Sequence, residues 1–61
     1  MPNRLIDFKG VRDLSNLSRS TIYRLEQGGR FPQRITLSNR CVRWSLLEVQ
    51  EWVNTKIEER V

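Results

Sequence analysis

The amino-acid sequence predicts a mostly α domain with one small β-hairpin, in the order helix–helix–hairpin–helix. Three observations carry this prediction. Two short segments with apolar residues at helical spacing precede a Gly28-Gly29 break, two extended runs flank the polar pair Ser38-Asn39, and Ser45-Leu46-Leu47-Glu48 opens a longer amphipathic stretch. At 61 residues the chain has room for one small domain, read as residues 1–61, with no internal repeat, low-complexity stretch or linker.

The first helix is expected over about residues 9–15. Phe8, Val11 and Leu14 recur every third residue and Leu17 continues the stripe. Asp7 can cap the start, Gly10 weakens the first turn, and Asn16 suits a left-handed position at the end. The second helix is expected over about 19–28 with Ser18 as N-cap. Ile22 and Leu25 lie on its inner side, while Ser20, Tyr23, Arg24 and Gln27 face outward with Arg19 at the edge and Glu26 off to the side.

Gln33–Leu37 and Arg40–Trp44 then read as two strands. A two-residue Ser38-Asn39 turn would set Ile35 opposite Val42 and Leu37 opposite Arg40, and on the other face Arg34 opposite Arg43 and Thr36 opposite Cys41. Facing like charges cost stability, which a bound anion would relieve; a loop one residue longer, or splaying into water, would also avoid it. The last helix starts with Ser45 at N-cap and Glu48 at N3, a capping box. Its stripe of Leu46, Val49, Trp52, Val53, Lys56 and Ile57 should pack on the first two helices.

This outline is that of a winged helix-turn-helix. Phe8, Val11, Leu14, Leu17, Ile22 and Leu25 would be buried, leaving the second helix to present a polar face that fits the major groove of duplex DNA. The hairpin would be a wing whose tip reaches a neighbouring phosphate or the minor groove.

Charge agrees with a polyanion partner. Lys+Arg number 11 against 7 Asp+Glu, a formal +4. Residues 1–44 hold nine basic and three acidic side chains, whereas residues 45–61 hold two basic and four acidic ones. Nine of the eleven cations are Arg, whose planar fork suits phosphates and guanine edges. With no His and a single Cys, the chain lacks an ordinary near-neutral acid–base group, an internal disulfide and a Cys-rich zinc site. These counts argue against catalysis, and no cofactor or metal is expected. No apolar run exceeds two residues, so neither a membrane span nor a signal-peptide core is read, and a reduced cytoplasmic setting is expected.

The candidate DNA-contacting residues are Ser18, Arg19, Ser20, Thr21, Tyr23, Arg24 and Gln27 on the second helix, with Arg34, Thr36, Ser38, Asn39, Arg40 and Arg43 on the wing. Arg19 and Arg24 can fork onto guanine, and Gln27 can pair with adenine. Ser18, Ser20 and Thr21 sit where a helix N-terminus receives phosphate, although Thr21 points partly inward. Tyr23 can meet a phosphate or sugar, or cover the core edge. Arg40 is best placed for the minor groove. Trp44 and Trp52 are in phase with Val42 and Val49, which favours core packing over base stacking. Phe31-Pro32 should tuck the chain under the wing, Cys41 reads as a small wing residue, and Arg12 and Arg30 as solvated charges.

Leu17-Ser18-Arg19-Ser20-Thr21-Ile22-Tyr23-Arg24-Leu25, then Gly29-Arg30-Phe31-Pro32, resembles the AlpA family of prophage and genomic-island regulators. Arg40-Cys41-Val42-Arg43-Trp44 and Glu48-Val49-Gln50-Glu51-Trp52-Val53 continue the match, which covers about residues 5–54. Where the family usually has a Gly pair at the wing tip and Gly before the first Trp, this chain has Ser38-Asn39 and Arg43, a more basic wing. The resemblance implies a bacterial, nucleoid-associated double-stranded-DNA-binding protein of a mobile element. It would act as a transcriptional regulator, as an excisionase (recombination directionality factor) assisting a tyrosine integrase, or as both. Cooperative self-association on DNA belongs to the excision role. Two other classes remain open. A protein-interaction module, an anti-repressor or recombinase-docking piece, would use Leu47, Ile57 and Val61; a single-strand or RNA binder would need exposed aromatics, for which Tyr23 is the candidate.

Overall fold

The structure, a computed structural model, describes residues 4–60; Met1-Pro2-Asn3 and Val61, the last member of the apolar set named above, lie outside the described residues. The elements are β1 (Leu5–Ile6), α1 (Phe8–Ser15), α2 (Arg19–Gln27), β2 (Ile35–Ser38), β3 (Cys41–Ser45) and α3 (Leu46–Glu59). The helix–helix–hairpin–helix order is that of a winged helix-turn-helix, with β1 as an addition.

Local chemistry sets the helix ends. Asp7, with extended backbone, accepts a hydrogen bond from the Gly10 amide at 3.0 Å and starts α1 one residue earlier than expected. Asn16 ends it at φ 60°, and its N–H donates to the Arg12 carbonyl at 2.7 Å. Ser18 caps α2 through the Thr21 amide at 3.3 Å, and Ser45 caps α3 through the Glu48 amide at 3.2 Å. The end of α2 is a Schellman turn. Gly29 N–H donates to the Glu26 carbonyl at 3.1 Å and Arg30 N–H to the Leu25 carbonyl at 2.8 Å, with Gly29 at φ 71°.

β1 has no counterpart in the sequence-based expectation, because two residues carry no periodicity. It pairs antiparallel with β3, Leu5 opposite Ser45 and Ile6 opposite Trp44, giving a three-stranded sheet of order β1-β3-β2. Gly10 makes this possible: a Cβ there would stand 3.0 Å from the Ile6 Cβ. The residue that weakens the helix turn is therefore what lets the strand pass over it.

The hairpin register corrects the expectation. Ile35 faces Arg43, Thr36 faces Val42 and Ser38 faces Cys41, with Leu37 the extra residue of an irregularity between Thr36 and Ser38. The turn is Asn39-Arg40, and Ser38 ends the strand that precedes it. Thus Ile35 is not opposite Val42, Leu37 is not opposite Arg40, Thr36 is not opposite Cys41, and the Arg34–Arg43 repulsion does not arise. Arg34 lies before β2, engaged elsewhere. The turn one residue later than expected, together with the extra residue Leu37, sets Arg43 opposite Ile35 and so avoids the like-charge pairing.

The core is Val11, Ile22, Phe31, Trp44 and Val49, surrounded by Ile6, Phe8, Leu17, Leu25, Val42, Trp52 and Val53. Each fully buried member contributes about 1.5–3 kcal/mol relative to an exposed position. Leu14, expected in this core, is instead 37% exposed. A strict three-residue repeat drifts about 60° per step around a helix, so with Val11 at the centre Leu14 falls to the rim. Both tryptophans are structural, as expected. Trp44 is buried; Trp52 meets Phe31 edge-on at 4.8 Å and donates from Nε1 to the Arg30 carbonyl at 2.7 Å. Phe31 is thereby locked under α3, which packs on α1 and β3.

Candidate nucleic-acid interface

α2 is held from its inner side by Ile22, which is fully buried, and by Leu25, which packs on the core. Its outer side is left to solvent: Ser18, Arg19, Ser20, Tyr23, Arg24 and Gln27 are all exposed, and Thr21 is half-buried. The N-terminal hydroxyls form a small cluster. Ser18 Oγ shares a 2.9 Å hydrogen bond with Thr21 Oγ1 and stands 3.5 Å from Ser20 Oγ, while Arg24 Nη2 donates to Thr21 Oγ1 at 3.4 Å. Arg19 folds back, its guanidinium 4.5 Å above the Phe8 ring. That contact steadies the side chain and leaves its edge available to an acceptor.

On the wing, Thr36, Ser38, Asn39 and Arg40 are exposed, and Arg43 is half-buried. Arg43 Nη1 donates to the Val42 carbonyl at 2.8 Å, so the guanidinium lies along the strand. A cavity of about 320 Å³ lies between the wing and the helices; Lys9, Arg19, Arg40 and Arg43 reach it from both sides, with the α1 cap Asp7 the one carboxylate in its lining. Such convergence of cations from α1, α2 and the wing suits one phosphodiester segment better than scattered surface charge does.

Arg34 departs from the expectation of a free wing cation. Its Nη2 is 2.7 Å from Glu26 Oε1, its Nε is 3.2 and 3.3 Å from the two carboxylate oxygens, and its backbone N–H donates to Oε2 at 2.9 Å. The guanidinium lies 4.9 Å from the Tyr23 ring and 5.4 Å from the Trp44 ring. The hydrogen bond to Glu26 holds the Arg34 pKa above its ordinary value, partly opposed by burial, so the group stays charged. Its charge is already matched within the fold, which removes it from the set of free cations.

Two residues of this region escape sequence reasoning. Lys9 lines the cavity beside Arg40 and Arg43, residues far along the chain, and no local pattern announces that. Glu26 is 7% exposed, not off to the side. Here a signal exists: Glu26 follows Ile22 by four positions, about 40° away on a helical wheel, and so shares its buried face.

A family model described as "Prophage CP4-57 regulatory protein (AlpA)" matches residues 4–57. The chain belongs to the AlpA family. Uncharacterized protein ORF88 of Enterobacteria phage P4 is 39% identical over 57 residues, 93% of this chain and 65% of that protein. The chain thus spans about two thirds of that relative's length. The AlpA match spans every element from β1 to most of α3, so the capped α2, the wing and the core beneath them all fall within the shared region.

Proposed function

We propose that this AlpA-family chain is a sequence-specific double-stranded-DNA-binding regulator of a mobile element. α2 enters the major groove, and the β2–β3 wing straddles the adjacent backbone with Arg40 on the phosphates that flank the minor groove. The observation that carries the reading is the joint exposure of the carboxylate-free α2 face and the cation-lined cavity between α2 and the wing. Arg24 and Gln27 read base edges, while Ser18, Ser20 and Thr21 receive phosphate at the helix start. Arg19, Arg40, Arg43 and Lys9 take the backbone, with Thr36, Ser38 and Asn39 lining the tip and Tyr23 packing on a sugar.

The same surface serves transcriptional control and excision. In the excision role several copies occupy adjacent sites cooperatively and bend the DNA for a tyrosine integrase. The protein acts by binding and not by catalysis, in the bacterial cytoplasm and on the nucleoid. No helix among the described residues is long and apolar enough to cross a membrane. Selection of duplexes from a randomised pool, followed by footprinting on the element's attachment site and integrase promoter, tests the reading. A recurring sequence protected at either locus supports it; a pool that never converges refutes it.

A second reading, an interaction module with only generic DNA affinity, is favoured by the half-exposed Leu47 and Ile57 on α3. It predicts that Leu47→Ser or Ile57→Ser abolishes activity in the cell while leaving DNA affinity intact.

A further inference from the structure

The Glu26–Arg34 contact joins the last turn of α2 to the residue before β2. Glu26 is fixed from below by burial, and its backbone carbonyl accepts from Gln33 Nε2 at 3.1 Å. Its carboxylate takes the Arg34 backbone N–H and the guanidinium together. Arg34 in turn lies against Tyr23 of α2 and Trp44 of β3, so one cation touches both DNA-facing elements. The chain between α2 and β2 is anchored as far as Arg30 and the buried Phe31; from Pro32 on, Gln33 and Arg34 return to α2 through hydrogen bonds to Glu26, which set where β2 begins.

We propose that Glu26 is a positioning residue for the wing: by gripping Arg34 against Tyr23 and Trp44, it sets the spacing between recognition helix and wing, and so determines DNA specificity without touching DNA. The proposal rests on the DNA-binding reading above. A bidentate carboxylate–guanidinium pair constrains orientation as well as distance, and the flat faces of two rings restrict the guanidinium plane further. With the grip in place, Arg40 at the wing tip meets its phosphate or groove only when α2 is seated in register. Without it, Arg34 is released as a mobile cation that binds any phosphate.

The test is a double-mutant cycle in the full chain, with Glu26→Gln, Arg40→Ala and the pair, on a selected duplex and a scrambled one at several salt concentrations. In the Glu26→Gln variant the side-chain amide oxygen can still accept the Arg34 backbone N–H but carries no charge to pair with the guanidinium, so the fold, followed by circular dichroism, is retained. Glu26→Gln should lower the ratio of specific to non-specific affinity on the order of tenfold. In that background Arg40→Ala should cause little further loss on the selected duplex. Should the glutamine variant not fold, Arg34→Lys provides the same comparison, since Lys keeps the charge but lacks the fork and the flat face. Strict additivity of the two changes, within about twofold, would overturn the positioning role while the DNA reading stands. If Arg40→Ala changes binding to neither duplex and the wild type shows no preference, the DNA reading itself falls and this proposal with it.

Discussion

Arg24→Ala separates base reading from charge attraction. Arg24 is exposed on the outer face of α2, and its guanidinium reaches Thr21 Oγ1 at 3.4 Å, a weak contact at the limit of hydrogen bonding. Truncation therefore leaves the fold within about 0.5 kcal/mol of the wild type, as for other surface positions. On DNA the loss is larger. A bidentate contact to guanine discriminates by about 1–3 kcal/mol, or about 5- to 150-fold. Fluorescence anisotropy on a selected duplex, and on the same duplex with single base-pair changes, measures it. The expected pattern is a loss on the selected duplex and indifference to substitution at one base pair that the wild type reads. An equal loss on selected and scrambled duplexes, with the salt slope reduced by about one, would make Arg24 a phosphate contact and refute the assignment.

Two predictions concern the frame that presents this face. Trp52→Phe keeps the edge-on ring contact with Phe31 but removes the Nε1 donation to the Arg30 carbonyl, and should cost about 1 kcal/mol of stability by thermal melting while leaving DNA affinity unchanged. Gly10→Ala gains about 0.5–1 kcal/mol of helix propensity but forces its Cβ to within 3.0 Å of Ile6 Cβ, a crowding that costs about 1–3 kcal/mol. The balance should be destabilising, with faster amide exchange in the β1–β3 pair.

The helix ends are legible because each is written in one residue. Asp7, Ser18 and Ser45 are caps, and Asn16 adopts the left-handed conformation its side chain tolerates. The outward face of α2 is equally legible, since Ile22 and Leu25 leave only one way to orient the helix. What escapes is non-local. The pairing of Leu5-Ile6 with β3 depends on a strand far along the chain, and the meeting of Lys9 with Arg40 and Arg43 is equally non-local. The hairpin register rests on a turn set one residue later, at Asn39-Arg40, and on one extra residue, Leu37, neither of which alternation alone reveals. Sequence alone counts Arg34 among the free cations as long as its partner, Glu26, is placed outside the core. A wheel drawn from Ile22 buries that carboxylate, and a buried carboxylate demands a cation.

Salt dependence tests most directly whether the α2 face and the cavity beside it form one duplex-DNA surface. Binding would be followed on a labelled attachment-site duplex and on its scrambled counterpart. Besides the paired Arg34, four cations reach the cavity: Lys9, Arg19, Arg40 and Arg43. If each neutralises a phosphate, log Kobs should fall against log salt with a slope of about −3 to −4, and the attachment-site duplex should bind more tightly at every salt concentration. Equal, weak binding to both duplexes with a slope near zero would contradict the claim.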